Sequence, residues 1–145
     1  LRTLVELGEP VWFTCDVGKQ FDSDRGVMAR DLYRAHTLYD LDHPLTHGFC
    51  KAQRLTYRAS QPTHAMVFTG LDAVDGRVHK WRVENSWGDE GGDDGFLAMR
   101  DDWFDDYVFQ VVVPTSTIPP DLLAQARAHE VTELPLWDPM GSVAR

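Results

Sequence analysis

No apolar run in the 145 residues approaches the roughly 20 that a membrane-spanning helix requires, so no membrane partner is expected. Leu1 to Leu7 is too short and too acidic to serve as a secretory leader, and an opening Leu rather than Met implies a natural start further upstream. Cysteine is scarce, with only Cys15 and Cys50 present. Two thiols without a leader point to a reducing cytoplasm and away from a disulfide scaffold. Basic residues are outnumbered, with 14 Lys and Arg against 23 Asp and Glu. The resulting formal charge of −9 repels phosphate backbones and argues against nucleic-acid binding. No internal repeat or low-complexity tract interrupts the chain.

What is present suits a globular domain. Hydrophobic residues make up 43% and charged residues 26%, and the length is enough to bury a core. Pro10 to Cys15 is an apolar, aromatic and β-branched run that reads as a buried strand. Ser23 to Tyr33 reads as a short helix capped by Ser23 or Asp24, and Ala35 to Gly48 as irregular. Thr63 to Leu71 and His79 to Asn85 read as strands, paired antiparallel through the turn-forming Asp75-Gly76. In the second of these, Trp81 and Val83 alternate with Lys80, Arg82 and Glu84, the mark of a half-buried strand. Gly88, Gly91, Gly92 and Gly95 punctuate a loop before a strand over Phe96 to Met99.

Asp101 to Phe104 suits a helical turn with acids at its positive end, and Tyr107 to Val113 a further strand. Pro119-Pro120-Asp121 opens a helix reaching about His129. The acidic runs, Asp89, Glu90, Asp93 and Asp94 and then Asp101, Asp102, Asp105 and Asp106, read as solvated loop and helix start, and lack the alternating ligands of a calcium loop. The whole is an α+β chain, mainly antiparallel β with peripheral helices over 1–133, followed by an extended proline-rich arm over 134–145.

Three pieces in order carry chemistry: Thr63-His64-Ala65-Met66, then Trp81 to Gly88, then Gly95-Phe96-Leu97. Adjacent strands can set His64 beside Asn85, whose amide oxygen would accept Nδ1–H of the imidazole and fix its tautomer. The other nitrogen is then free to face a thiol, and a thiolate–imidazolium pair is a nucleophile at neutral pH. Trp87 can lie over the His–Asn hydrogen bond and exclude water from it. Singly these residues say little, since a lone His on an apolar strand is usually packed core and a lone Asn before glycines usually a turn former.

Together, Asn85-Ser86-Trp87-Gly88 after a strand, a glycine-rich loop and Gly95-Phe96 resemble the asparagine signature of papain-like cysteine peptidases. The similarity is closer still to the bleomycin hydrolase and aminopeptidase C family. Pro10-Val11-Trp12-Phe13-Thr14-Cys15-Asp16-Val17-Gly18-Lys19 resembles its P-V-W-F-G-C-D-V-G-K, with Thr14 where a glycine is usual. Lys51-Ala52-Gln53-Arg54-Leu55 resembles K-A-E-R-L, and Leu134 to Gly141 resembles L-P-A-W-D-P-M-G. Thr63-His64-Ala65-Met66 and Arg82 to Gly88 resemble the strings T-H-A-M and R-V-E-N-S-W-G, and Asp102-Trp103-Phe104 with Tyr107-Val108 resembles D-E-W-F-x-x-Y-V.

The resemblance implies a papain-like fold, of which this chain is the C-terminal, β-barrel-like half. It implies His64 as general base and acid, Asn85 as its orienting partner, and no cofactor or metal. The family's nucleophilic cysteine lies in an N-terminal helical region absent from this sequence. Cys15 matches a non-catalytic strand position, so the chain alone is expected to be inactive. The implied substrates are peptides with a free N-terminus, and the implied assembly a hexamer enclosing its active sites. The family's C-terminal arm runs back to the cleft, so the carboxylate of Arg145, or of a trimmed Ala144, would anchor the substrate amine. Two rivals stand beside this reading. One is a zinc site from His43, His47 and Cys50 with His36 nearby, although the segment lacks a recognised ligand spacing. The other is a truncated, inactive pseudo-peptidase serving as a binding or assembly module.

Overall fold

A computed structural model describes residues 1–39, 49–135, 137, 138 and 140. In chain order the described elements are α1 (Arg2–Glu6), β1 (Val11–Cys15), β2 (Phe21–Asp22), β3 (Val27–Met28), α2 (Ala35–Leu38), α3 (Lys51–Thr56), β4 (His64–Val74), β5 (Arg77–Glu84), β6 (Phe96–Arg100), α4 (Asp101–Tyr107), β7 (Val108–Val112) and α5 (Pro120–Ala128). The strands form a seven-stranded sheet in the order β2-β3-β6-β5-β4-β1-β7. All neighbours are antiparallel except β3 and β6, which run parallel.

One face of the sheet carries the core. Val11, Phe13 and Cys15 of β1, Met66 and Phe68 of β4, Trp81 and Val83 of β5, and Leu97 and Met99 of β6 are all buried there. Leu4 and Val5 of α1 and Trp103 and Tyr107 of α4 join the same cluster. Its centre is aromatic: Phe13 stacks on Phe68 with ring centres 3.9 Å apart, Phe68 meets Trp81 at 5.0 Å, and Trp81 stacks on Phe104 at 5.3 Å. Such pairs add about 0.5–1.5 kcal/mol each beyond the area they bury. Both core indoles also satisfy their N–H groups, Trp81 on Asp101 Oδ1 at 2.9 Å and Trp103 on the Lys19 carbonyl at 2.7 Å.

The β4–β5 hairpin matches the sequence expectation. Asp75 and Gly76 both take positive φ, 50° and 77°, the backbone that a tight two-residue hairpin turn demands. In β5, Trp81 and Val83 are buried while Lys80, Arg82 and Glu84 are exposed, as the alternation required. The expected turn at Asp101 extends to Tyr107, and the last helix covers Pro120–Ala128 within the expected bounds.

Two expectations are corrected. Ser23 to Tyr33 is not a helix. Instead β2 and β3 make a small hairpin, in which Asp22 Oδ1 accepts the Arg25 N–H at 3.0 Å and Gly26 takes φ of 65°. Parallel pairing of Val27 with Ala98 and Met28 with Met99 then holds β3 in the sheet and buries Met28, a distant contact that overrides local helix signals. Nor is β1 buried on both faces, since Trp12 is 57% exposed on the outer side opposite the core. The short α1, α2 and α3 add helical turns that the sequence reading did not assign, α2 within the stretch read as irregular. Beyond α5, residues 130–135 carry no regular structure, and Met140 donates its N–H to Asp138 Oδ1 at 2.9 Å.

Asp106 ties the periphery together. Its carboxylate accepts from Arg30 Nε at 2.6 Å and Arg54 at 2.5 Å, joining the β3–α2 connection and α3 to α4. Arg54 is nearly buried, lies over the Tyr107 ring at 5.1 Å, and already has one nitrogen, Nε, without a partner. Asp106→Ala would strand that guanidinium, so a loss of about 3 kcal/mol is expected. A lowered urea midpoint at unchanged slope checks this, and an unchanged midpoint would show the pair to be screened by solvent.

Candidate active site

His64 is the first residue of β4, in register with Cys15 of β1. On the other side β4 pairs with β5, Val67 opposite Glu84 and Phe68 opposite Val83. Continued one step, that register sets Asn85 opposite Met66, diagonal to His64 and on the same face. The structure closes the diagonal with a hydrogen bond of 2.9 Å between His64 Nε2 and Asn85 Oδ1. It is therefore the distal nitrogen, not Nδ1, that meets the amide. A diagonal partner lies too far along the sheet for the nitrogen nearer the backbone, and the long axis of the ring spans the gap.

The tautomer follows from the second contact of the same oxygen. The Ser86 backbone N–H donates to Asn85 Oδ1 at 2.8 Å, so this atom is an acceptor. His64 Nε2 is then the donor of this bond, and in the neutral ring the lone pair falls to Nδ1. Asn85 is held from behind as well, its N–H donating to the Gly95 carbonyl at 3.2 Å. Gly95 has φ of 81°, and a methyl at its Cα would collide with the Gly88 carbonyl oxygen. The glycines of the 88–95 loop thus let the chain fold back tightly enough to present that carbonyl. Trp87 lies against the imidazole with ring centres 5.0 Å apart and covers one side of the pair, while itself remaining 48% exposed.

The thiols are differently placed. Cys15 is fully buried beside His64 in the ladder, and burial, with the nearby Asp16 charge second, pushes its thiol well above the usual 9.0. It stays protonated and inert at neutral pH. Cys50 is exposed just before α3. Ala144 and Arg145, expected to anchor the substrate amine, lie outside the described residues, as do His43 and His47 of the rival zinc site. Among the described residues no group of three or more His, Cys, Asp or Glu gathers in a metal-binding arrangement. Sequence reasoning missed the Ser86 N–H and the Gly95 carbonyl as supports of Asn85. Both are backbone groups, and only the cluster of glycines hinted at such a tight approach.

At the end of the core face, then, the sheet presents a hydrogen-bonded His–Asn pair with Trp87 against the imidazole. The chain belongs to the Peptidase C1-like family, whose model matches residues 3–141. Among its relatives are human bleomycin hydrolase, 46% identical over 94% of this chain, and aminopeptidase C of Listeria monocytogenes, 41% identical over 94%. The crystal structure of PepW from Lactobacillus rhamnosis HN001 superposes with a TM-score of 0.85 at 40% identity, covering 96% of this chain and 31% of that one. The chain spans about 30% of the length of the curated relatives it matches.

Two outcomes follow for the isolated chain. An aromatic disulfide reagent at pH 8 should label one thiol in the native protein and two in denaturant, whereas two fast-reacting native thiols would contradict the inert Cys15. Stability tied to the protonated Cys15 is fully present below about pH 9, where the unfolded thiol is also protonated, and is lost as pH rises beyond it. Separately, Gly95→Ala should loosen the Asn85 support and shift the His64 imidazole resonances, with a stability loss of about 2 kcal/mol or more in thermal melts.

Proposed function

We propose that this chain supplies the His–Asn half of a cysteine aminopeptidase that removes N-terminal residues from peptides. The carrying observation is the 2.9 Å bond from Nε2 to Asn85, which leaves Nδ1 available to a thiol from outside the described sheet. The nucleophilic cysteine is contributed by residues beyond this sequence. Its thiolate, formed by proton transfer to His64 Nδ1, attacks the carbonyl carbon of the first peptide bond. His64 then returns the proton to the leaving amine, giving an acyl-enzyme, and afterwards activates the water that hydrolyses it. Asn85 keeps the ring oriented through both half-reactions without taking the proton itself.

The tail supports the exopeptidase part of this reading. The Arg58 guanidinium sits 5.9 Å over the Trp137 ring, and a cavity bordered by Leu55, Thr56, Arg58, Asp138 and Met140 brings the tail against the end of α3. The tail residues Trp137, Asp138 and Met140 thus stand beside the segment that precedes β4 in the chain. From there the carboxylate of Arg145, or of Ala144 after trimming, pairs with the substrate's α-amine and bars longer N-terminal extensions. Assembly into a hexamer and a cytoplasmic location complete the proposal.

In the complete protein, His64→Ala should abolish hydrolysis of aminoacyl amides, and Asn85→Ala should lower kcat by a smaller factor, on the order of tenfold to a hundredfold. Deleting Met140 to Arg145 should turn the product pattern from single N-terminal residues toward internal cleavage. Near-normal turnover by His64→Ala with an unchanged pH profile would reject the catalytic reading and favour a binding module.

A further inference from the structure

The strand that carries His64 is entered through four residues that lie outside the sheet ladder, Ser60 to Thr63. They are nevertheless held tightly: the Ser60 N–H donates to the Arg54 carbonyl at 3.3 Å, and one side chain from another strand end reaches two successive residues. Asp16, the residue after β1, is only 4% exposed, and Ser60 only 2%. Ser60 Oγ donates to Asp16 Oδ2 at 2.7 Å, and the Gln61 backbone N–H donates to the same oxygen at 3.3 Å. Next along, the Thr63 N–H donates to the Cys15 carbonyl at 2.9 Å, and the ladder begins with Cys15 opposite His64. Asp16 is itself fixed from the far side, its own N–H donating to the Tyr107 carbonyl at 3.1 Å and its carbonyl accepting from Lys19 at 3.2 Å.

We propose that Asp16 is a positioning residue for the His64–Asn85 pair: its carboxylate pins Ser60 and Gln61 to the end of β1 and so fixes where β4 begins and where the imidazole stands. This rests on the catalytic reading of His64 given above. A charged acceptor suits the task, because bonds to a carboxylate are stronger than those between neutral groups and the site is shielded from water. The geometry is also economical. One oxygen restrains two successive residues of the approach, Pro62 after them is fully buried, and Thr63 is held on the Cys15 carbonyl where the ladder begins. A slack approach would let the first residue of β4 fray, as strand ends do, and a shift of about 1 Å at a reacting group costs roughly a hundredfold in rate.

The test uses the complete protein with Asp16→Ala, Asp16→Asn and Ser60→Ala, each checked for native circular dichroism. Asp16→Ala should lower kcat by about tenfold to a hundredfold with KM changed less than about threefold. Asp16→Asn, which keeps an acceptor oxygen in place, should recover most of that loss, and Ser60→Ala should fall between. The Asp16→Ala and Ser60→Ala proteins should also show displaced His64 imidazole NMR resonances, a signature that loss of global stability alone would not give. If Asp16→Ala does not fold, Ser60→Ala decides the matter by the same readouts. Wild-type kcat and unmoved His64 resonances in the folded alanine variants would overturn the proposal. His64→Ala serves as the separate control: its retained activity would reject the catalytic reading, whereas its inactivity beside a normal Ser60→Ala would reject only the placement by Asp16.

Discussion

Side chains alternate along a strand, so a slip of β4 by one residue against β5 would turn His64 away from Asn85 and throw Phe68 out of the core. The register of this pair is the constraint from which the site follows, and the core enforces it. Phe68 stacks on Phe13 of β1 and touches Trp81 of β5, so one ring locks β4 against both neighbours at once. His64 and Asn85 stand at the end of the same face, two strand steps from that lock. The packing that stabilises the fold and the alignment that the proposed chemistry needs are therefore one arrangement.

The site's electrostatics are built from polar groups that keep their protons where they are needed. Asn85 Oδ1 takes two donors and can take the imidazole proton's hydrogen bond without taking the proton. Cys15, directly beside His64 in the ladder, would be a competing thiol if it could ionise. Burial among Phe13, Met66 and their neighbours prevents this. Low dielectric thus does two things within one sheet face: it strengthens the His–Asn bond and silences the wrong sulfur.

Features written into short stretches of sequence were legible. The Asp75-Gly76 turn fixed the hairpin, alternation at Trp81 and Val83 fixed its inner face, and Asn85-Ser86-Trp87-Gly88 marked the two side chains that meet the His64 ring. What could not be read depended on contacts between distant segments. β3 exists because Met28 pairs with Met99, some 70 positions away, and nothing within 23–33 reports that. Trp12 looked like core because hydrophobicity does not say which face of a sheet is covered. The choice of Nε2 over Nδ1 required the diagonal offset between strands, which only the register supplies. The hold of Asp16 on Ser60, across 44 positions, had no local signal either.

The placement of β1 inside the sheet bears on how the protein is made. This strand precedes both of its sheet neighbours in the chain, β4 and β7, and its Thr14 side chain bonds Gln110, 96 positions later. At about 5–20 residues per second, the nascent segment waits roughly 5–20 s for its last neighbour. Until β4 follows, this five-residue strand, with Trp12 and Phe13 in it, has both backbone edges open, and until β7 follows it has one, the profile that chaperones bind and that nascent chains of neighbouring ribosomes can pair with. Biosynthesis, more than the finished structure, is where this architecture is most exposed to error.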